Sequence, residues 1–227
     1  MTLLIFVRCC TFPPYICLFL LYSLLVIIEV GPDTVQYILT HTGLGSLVCS
    51  RRHLEKICEA KRTGSCPAFT TVILVDGITP DAMQVLNSVG LQVISFAKVE
   101  AIGSERIATI GHKHSPPSFD DIATFSYTSG TTGPPKGAII THGNIMSTSS
   151  GMRALDGMKM VLTDRHLSYL PLAHIFERIF MSQVLCAGAS VAFFRGDPLM
   201  LIEDLQACRP TIMPVVPRVL NKIYDKV

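Results

Sequence analysis

The 227-residue sequence has no tryptophan, and its charge is sparse and nearly balanced: 16% of residues are Asp, Glu, Lys or Arg, with a net of +2. A protein that tracks phosphates along a nucleic acid carries a basic stripe, and this chain has none. Its densest basic stretch, Arg51, Arg52, His53, Lys56, Lys61 and Arg62, reads as the solvated face of one helix. Eight cysteines are present, but no CxxC pair and no His/Cys cluster at zinc-ligand spacing. Their placement argues against a disulfide scaffold and a structural zinc site. Cys49, Cys58, Cys66, Cys186 and Cys208 are scattered, as expected of reduced, mostly buried thiols in an intracellular protein. No internal repeat is visible.

Apolar residues, by contrast, make up 49% of the chain, and the excess is concentrated at residues 1–28. From Leu3 to Ile28 the only charge is Arg8, and Ile16 to Ile28 is apolar apart from Tyr22 and Ser23. A membrane-spanning helix needs roughly 20 apolar residues. The stretch reaches that length only if the Pro13-Pro14 pair is included. A cleaved signal peptide would need a small-residue site after the run, and none follows. Three readings stay open for this leader: a signal anchor giving membrane association, a non-native or alternative start, and a buried strand or helix.

From residue 29 onward, short β-branched runs alternate with amphipathic stretches. Helices are expected at Asp33–His41, Leu54–Lys61, Pro80–Val89, Asn144–Leu155, Ile175–Leu185, Pro198–Cys208 and Pro217–Val227. Strands are expected at Ser46–Ser50, Thr71–Val75, Leu91–Phe96, Ile122–Tyr127, Leu167–Leu170, Ser190–Phe194 and Thr211–Val215, with another extended piece from Ala138. His112 to Asp121 reads as a linker. This alternation predicts layered βαβ units around a mostly parallel sheet, an α/β fold.

The most informative segment is Phe125-Ser126-Tyr127-Thr128-Ser129-Gly130-Thr131-Thr132-Gly133-Pro134-Pro135-Lys136-Gly137. Glycines at 130, 133 and 137 free the backbone to aim successive N–H groups at an anion. Thr128, Ser129, Thr131 and Thr132 add hydroxyls, and Lys136 adds a positive charge suited to phosphate oxygens. It is not a Walker A loop, which has Gly before its Lys and Ser or Thr after it; here those places hold Pro135 and Gly137. A kinase or GTPase of that type is excluded. A flexible Gly/Thr linker would rarely combine an apolar strand, four hydroxyls, two prolines and a terminal Lys-Gly.

Residues Phe125 to Lys136 resemble, position by position, the AMP-binding signature of the adenylate-forming superfamily of acyl-CoA ligases, luciferases and peptide-synthetase adenylation domains. The resemblance implies ATP as cofactor, with Thr128 helping to hold Mg2+, Ser129, Gly130, Thr131, Thr132 and Gly133 around the β- and γ-phosphates, and Lys136 on the pyrophosphate side. Tyr169-Leu170-Pro171-Leu172-Ala173-His174-Ile175-Phe176-Glu177-Arg178 is similar to the aromatic/His motif that follows this loop, in its long-chain fatty acid–CoA ligase form. The resemblance places His174 near the acyl-adenylate, so Lys136 and His174 are the candidate catalytic pair. Glu177 and Arg178 either orient the site or form a local ion pair of small value. Gly31 to Val35, Pro214 to Arg218 and Asn221 to Asp225 resemble segments of the same branch, so the similarity runs over about residues 31–227.

That branch joins a long-chain fatty acid to coenzyme A with ATP, giving acyl-CoA, AMP and diphosphate. It implies a long-chain fatty acid as partner, no nucleic acid and no particular protein partner. The location it implies is intracellular, at the cytosolic face of the endoplasmic reticulum or peroxisomal membrane. The family's Tyr-Gly-x-Thr-Glu segment, its ribose-binding Asp and its small C-terminal domain do not occur in this sequence. The expectation is thus an incomplete AMP-binding domain over 29–227, not competent as a ligase by itself. Two alternatives stand beside it: a membrane-anchored, non-catalytic form that binds acyl chains or a ligase, and an adenylation module for another carboxylate.

Overall fold

A computed structural model describes residues 2–8, 21–27, 32–63, 66–111, 116–128, 134–155 and 157–225. These fall into two compact units, residues 2–142 and residues 143–227.

In the first unit a seven-stranded sheet runs in the order β5-β4-β3-β1-β2-β6-β7. Its strands are β1 (Thr2–Arg8), β2 (Leu21–Ile27), β3 (Ser46–Cys49), β4 (Thr71–Leu74), β5 (Gln92–Ser95), β6 (Ile122–Thr128) and β7 (Lys136–Thr141). Strands β3, β4 and β5 are mutually parallel, joined by crossover helices, and β2 is parallel to β6. β1 is antiparallel to both neighbours, and β6 and β7 form an antiparallel hairpin. The fold is therefore mixed α/β, with parallel strands in each half of the sheet. The leader, whose character the sequence left open, supplies two strands between β3 and β6. Among the described residues no helix is long and apolar enough to cross a membrane.

Helices α1 (Pro32–Thr42), α2 (Leu54–Arg62), α3 (Pro80–Ser88) and α4 (Phe96–Ile110) belong to this unit. One 3₁₀ turn, Arg51–His53, precedes α2. Thr79 caps α3 by accepting from the Ala82 N–H, and Pro80 sits in the first turn, where a missing N–H costs nothing. Ile38, Leu39, Leu44, Leu47, Ile57, Phe69, Leu74, Leu86 and Leu91 are fully buried in one apolar cluster. Cys49, Cys58 and Cys66 are buried free thiols within it. Burial chiefly, with the nearby Asp76 carboxylate adding, pushes the Cys49 thiol up to about 12.

The second unit continues α5 (His142–Ala154) into a two-stranded parallel sheet of β8 (Arg165–Ser168) and β9 (Ser190–Phe193). It also holds α6 (Ile175–Ala187), α7 (Leu201–Cys208) and α8 (Pro217–Tyr224). Helix α6 stops at Gly188, whose φ of 66° is the left-handed conformation that ends helices. Two elements differ from the sequence expectation. α4 has no counterpart in it, and the expected strand at Thr211–Val215 is reduced to a single bridge between Ile212 and His166.

Candidate functional site

The expected phosphate loop connects β6 to β7. Strand β6 forms because Ile122 to Thr128 is a run of β-branched and aromatic residues, and β7 because Ala138 to Thr141 is another. The hairpin register places Thr128 directly opposite Lys136, and Tyr127 opposite Gly137. Both ends of the loop are therefore tied to each other by the ladder. Ser129, Gly130, Thr131, Thr132 and Gly133 lie outside the described residues, and Thr128 is placed by its backbone. Lys136 is exposed at the mouth of the hairpin.

Gly137 has a steric reason to be glycine. A Cβ there would lie 2.9 Å from Tyr127 Cζ and 3.0 Å from its Cε2. The Tyr127 ring thus covers a bare stretch of β7, the last strand of the described sheet, an arrangement that compensates for a glycine in a strand. The Tyr127 hydroxyl lies 2.6 Å from His41 Nδ1, in the last turn of α1. His41 in turn stacks on Tyr37, four residues back on the same helix, with centroids 5.4 Å apart and planes at 10°. Burial first, and then the neighbouring Tyr37, raise the Tyr127 phenol above its ordinary value.

The second motif lies wholly in the other unit. Pro171 to His174 form a turn between β8 and α6, closed by the His174 N–H donating to the Pro171 carbonyl at 2.9 Å. His174 is the N-cap residue of α6, with extended backbone, no side-chain cap bond and an exposed side chain. Arg178 donates through Nε and Nη2 to the Leu172 carbonyl, each at 3.3 Å, which holds the same turn. Burial draws the Arg178 guanidinium below its usual value.

Glu177 pairs with His166 of β8, not with Arg178. Its Oε1 is 2.8 Å from His166 Nε2, and both side chains are completely buried. His166 Nδ1 and Glu177 Oε2 have no hydrogen-bond partner. The Tyr169 hydroxyl accepts from the Val216 N–H at 3.4 Å, joining the motif to the 211–216 segment. Sequence reading missed both His41 and His166. Neither belongs to a motif, and only the fold brings them to their partners.

Lys136 and the loop ends thus belong to residues 2–142, and His174 to residues 143–227. Among the described residues no cluster of His, Cys, Asp and Glu could hold a metal by itself.

A strand–loop–strand with glycines and hydroxyls between a Thr and a Lys defines a class, and comparison with known proteins agrees: residues 22–227 match the family model for AMP-binding enzymes, and the chain belongs to that family. It is 38% identical over 206 residues to long-chain-fatty-acid–CoA ligase 6 of Rattus norvegicus, covering 87% of this chain and 28% of that protein. With long-chain-fatty-acid–CoA ligase 1 of Cavia porcellus it shares 36% identity over 200 residues, again 87% of this chain and 28% of the relative. The chain therefore spans little more than a quarter of the length of these curated relatives. The adenylation domain of a carboxylate reductase from Mycobacterium chelonae shares the fold, with a TM-score of 0.69 at 22% identity over 89% of this chain and 32% of that one.

Proposed function

We propose that the protein is an ATP-dependent long-chain fatty acid–CoA ligase, and that residues 128–136 form its phosphate-binding loop. The hairpin carries this assignment: the register that sets Thr128 opposite Lys136 brackets a Gly/Thr-rich loop with a hydroxyl at one end and a cation at the other. Backbone N–H groups of Ser129 to Gly133 hold the β- and γ-phosphates, and Lys136 neutralises charge on departing pyrophosphate. Magnesium fits the hydroxyl oxygens of this loop, because Mg2+ is held mainly by substrate phosphates and a few protein oxygens. Thr128 supplies one such oxygen. When bound, the ion would screen the phosphate charges against the incoming carboxylate.

The two half-reactions are attack of a fatty carboxylate on the α-phosphorus, giving acyl-adenylate and pyrophosphate, and displacement of AMP by the thiolate of coenzyme A. Positioning does most of the work in both. His174, exposed at the start of α6 and held by the Pro171–His174 turn, is assigned to the carboxylate by its place in the aromatic/His motif. Identity of 36–38% to long-chain ligases supports the choice of a long-chain acid over another carboxylate. Because the chain covers 28% of those relatives, the complete reaction is assigned to the whole protein.

A phosphorus NMR titration of the chain with MgATP tests the loop. The expected Kd is on the order of 1 mM, about 4 kcal/mol of binding. Lys136→Ala should weaken it by about tenfold, the scale of one charge-assisted contact. If the Lys136→Ala chain binds MgATP like the wild type, the loop is not the phosphate site. Fatty-acid-dependent exchange between ATP and pyrophosphate by the whole protein, lost in His174→Ala, tests the rest.

A further inference from the structure

We infer that Tyr127 and His41 are positioning residues for the phosphate loop, holding its two ends in register through a hydrogen bond that reaches from α1 to β6; this rests on residues 128–136 being the phosphate loop. Tyr127 is the last residue before Thr128 and stands opposite Gly137, the first after Lys136. Its ring touches the place a Cβ of Gly137 would fill, so the ring covers the backbone of the strand that presents Lys136. A ring in that position controls how closely β7 approaches β6 just where the loop closes.

What holds the ring is the 2.6 Å contact between its hydroxyl and His41 Nδ1. His41 is itself held by stacking on Tyr37 and by an edge-on contact with Tyr127, at 6.0 Å and 86°. The phenol hydroxyl can donate to an Nδ1 that carries no proton, or accept from one that does, so either imidazole tautomer makes the bond. An imidazolium would donate from Nδ1 to the phenol oxygen. The link therefore survives either charge state of His41. Its function is geometric: among the described residues β7 pairs on one side only, and the tyrosine restrains it from the face of the hairpin.

The test uses the whole 227-residue chain, with MgATP as probe in the same phosphorus NMR titration, and with thermal unfolding recorded for every variant. Tyr127→Phe keeps the ring and removes the hydroxyl; His41→Leu removes the other partner. Each is expected to weaken MgATP binding by about three- to tenfold, the scale of one hydrogen bond. The double variant should be no weaker than the worse single one, because both lose the same contact. His41→Asn, which places an amide near the Nδ1 position, should restore most of the affinity. A purely structural role would not separate Asn from Leu in binding while their unfolding midpoints agree. Wild-type affinity in Tyr127→Phe, alongside lost affinity in Lys136→Ala, overturns the positioning role and leaves the phosphate loop standing. The role is also overturned if His41→Asn binds as weakly as His41→Leu, or if affinity merely follows the unfolding midpoint across all variants. Unchanged binding in Lys136→Ala, or no binding by the wild-type chain, overturns the loop assignment and this inference together.

Discussion

Residues 2–142 and residues 143–227 bury different kinds of group. Among the described residues the first unit buries mainly aliphatic side chains, with the Phe69 ring and the thiols of Cys49, Cys58 and Cys66; Leu44, Leu47, Ile57, Phe69 and Leu86 are wholly excluded from water. The second has a small apolar cluster, Met160, Phe180 and Val184, and beside Phe180 a His–Glu pair with no exposure at all. Apolar burial is tolerant of direction, so the first unit can leave Lys136 exposed at the start of β7 while the core sets stability. A buried ionisable pair is directional, and it fixes β8 against the first turn of α6, where His174 lies. The two candidate groups are thus held by different physics: a hairpin on an aliphatic base, and a helix start pinned by a polar contact.

Substitutions inside the two cores should break this contrast most strongly. Phe69→Ala should cost the first unit about 3–5 kcal/mol, as for other buried phenyl truncations. His166→Leu should cost the second unit about the same, because it leaves the Glu177 carboxylate buried and unpaired. Glu177→Met should cost less, about 1–3 kcal/mol, since it leaves no buried carboxylate without its partner. The double variant His166→Leu/Glu177→Met should recover part of the His166→Leu loss. Hydrogen exchange followed by mass spectrometry separates the units, since each substitution should loosen amides mainly in its own. If the double variant costs the sum of the two single ones, the pair is not a coupled unit.

Next in size is a cap. Thr79→Ala removes the side-chain acceptor at the α3 N-terminus, the 3.3 Å bond from the Ala82 N–H, and should cost about 1 kcal/mol. Thr79→Ser should restore it. In α6 the N-cap residue is His174, which makes no cap bond, so His174→Ala should leave stability within about 0.5 kcal/mol. Urea unfolding of the three variants compares them directly. A large loss in His174→Ala would mean that the histidine packs, and would weaken its assignment to the acyl-adenylate.

Most of the α/β order was legible in the sequence because its signals are local. Pro80 after Thr79 marks α3, Gly188 ends α6, and Thr71 to Leu74 is a short β-branched run. α4 was missed although Val99, Ile102, Ile107 and Ile110 recur at near-helical spacing, and the structure leaves all four exposed. Thr211 to Val215 looked like a strand from its composition, yet Pro214 has no N–H to give a ladder and only Ile212 forms a bridge. The loop motif was readable at once, whereas its support was not. His41 lies 86 positions from Tyr127, and His166 lies 11 from Glu177 across a strand and a turn, so neither pair falls on one helix face or one strand. Side-chain contacts made across the fold leave no pattern in a single sequence.

The smallest expected effect concerns acid, and it should not discriminate the two units. Each has a carboxylate held below its ordinary range by hydrogen bonds. Asp76 accepts from the Ser50 hydroxyl at 2.6 Å and the Arg51 N–H at 2.7 Å, and these bonds, the hydroxyl first, lower its pKa. Asp164 accepts from the Thr211 hydroxyl at 2.6 Å and the Val161 N–H at 2.8 Å, with the same consequence in the same order. A carboxylate whose folded pKa lies below its unfolded value binds fewer protons when folded. Its contribution is therefore complete above the unfolded value of about 3.9, and it is lost as pH falls through the lower folded value. Both groups face solvent, so screening keeps the effect small. Urea midpoints followed from about pH 6 down to about pH 2 should fall less steeply in Asp76→Asn and in Asp164→Asn than in the wild type. The two variants should flatten the same acid window to a similar degree, despite the contrast between their cores. A wild-type slope in either variant would show that its carboxylate is not held by those bonds in solution, and a slope steeper than the wild type would reverse the sign of the linkage.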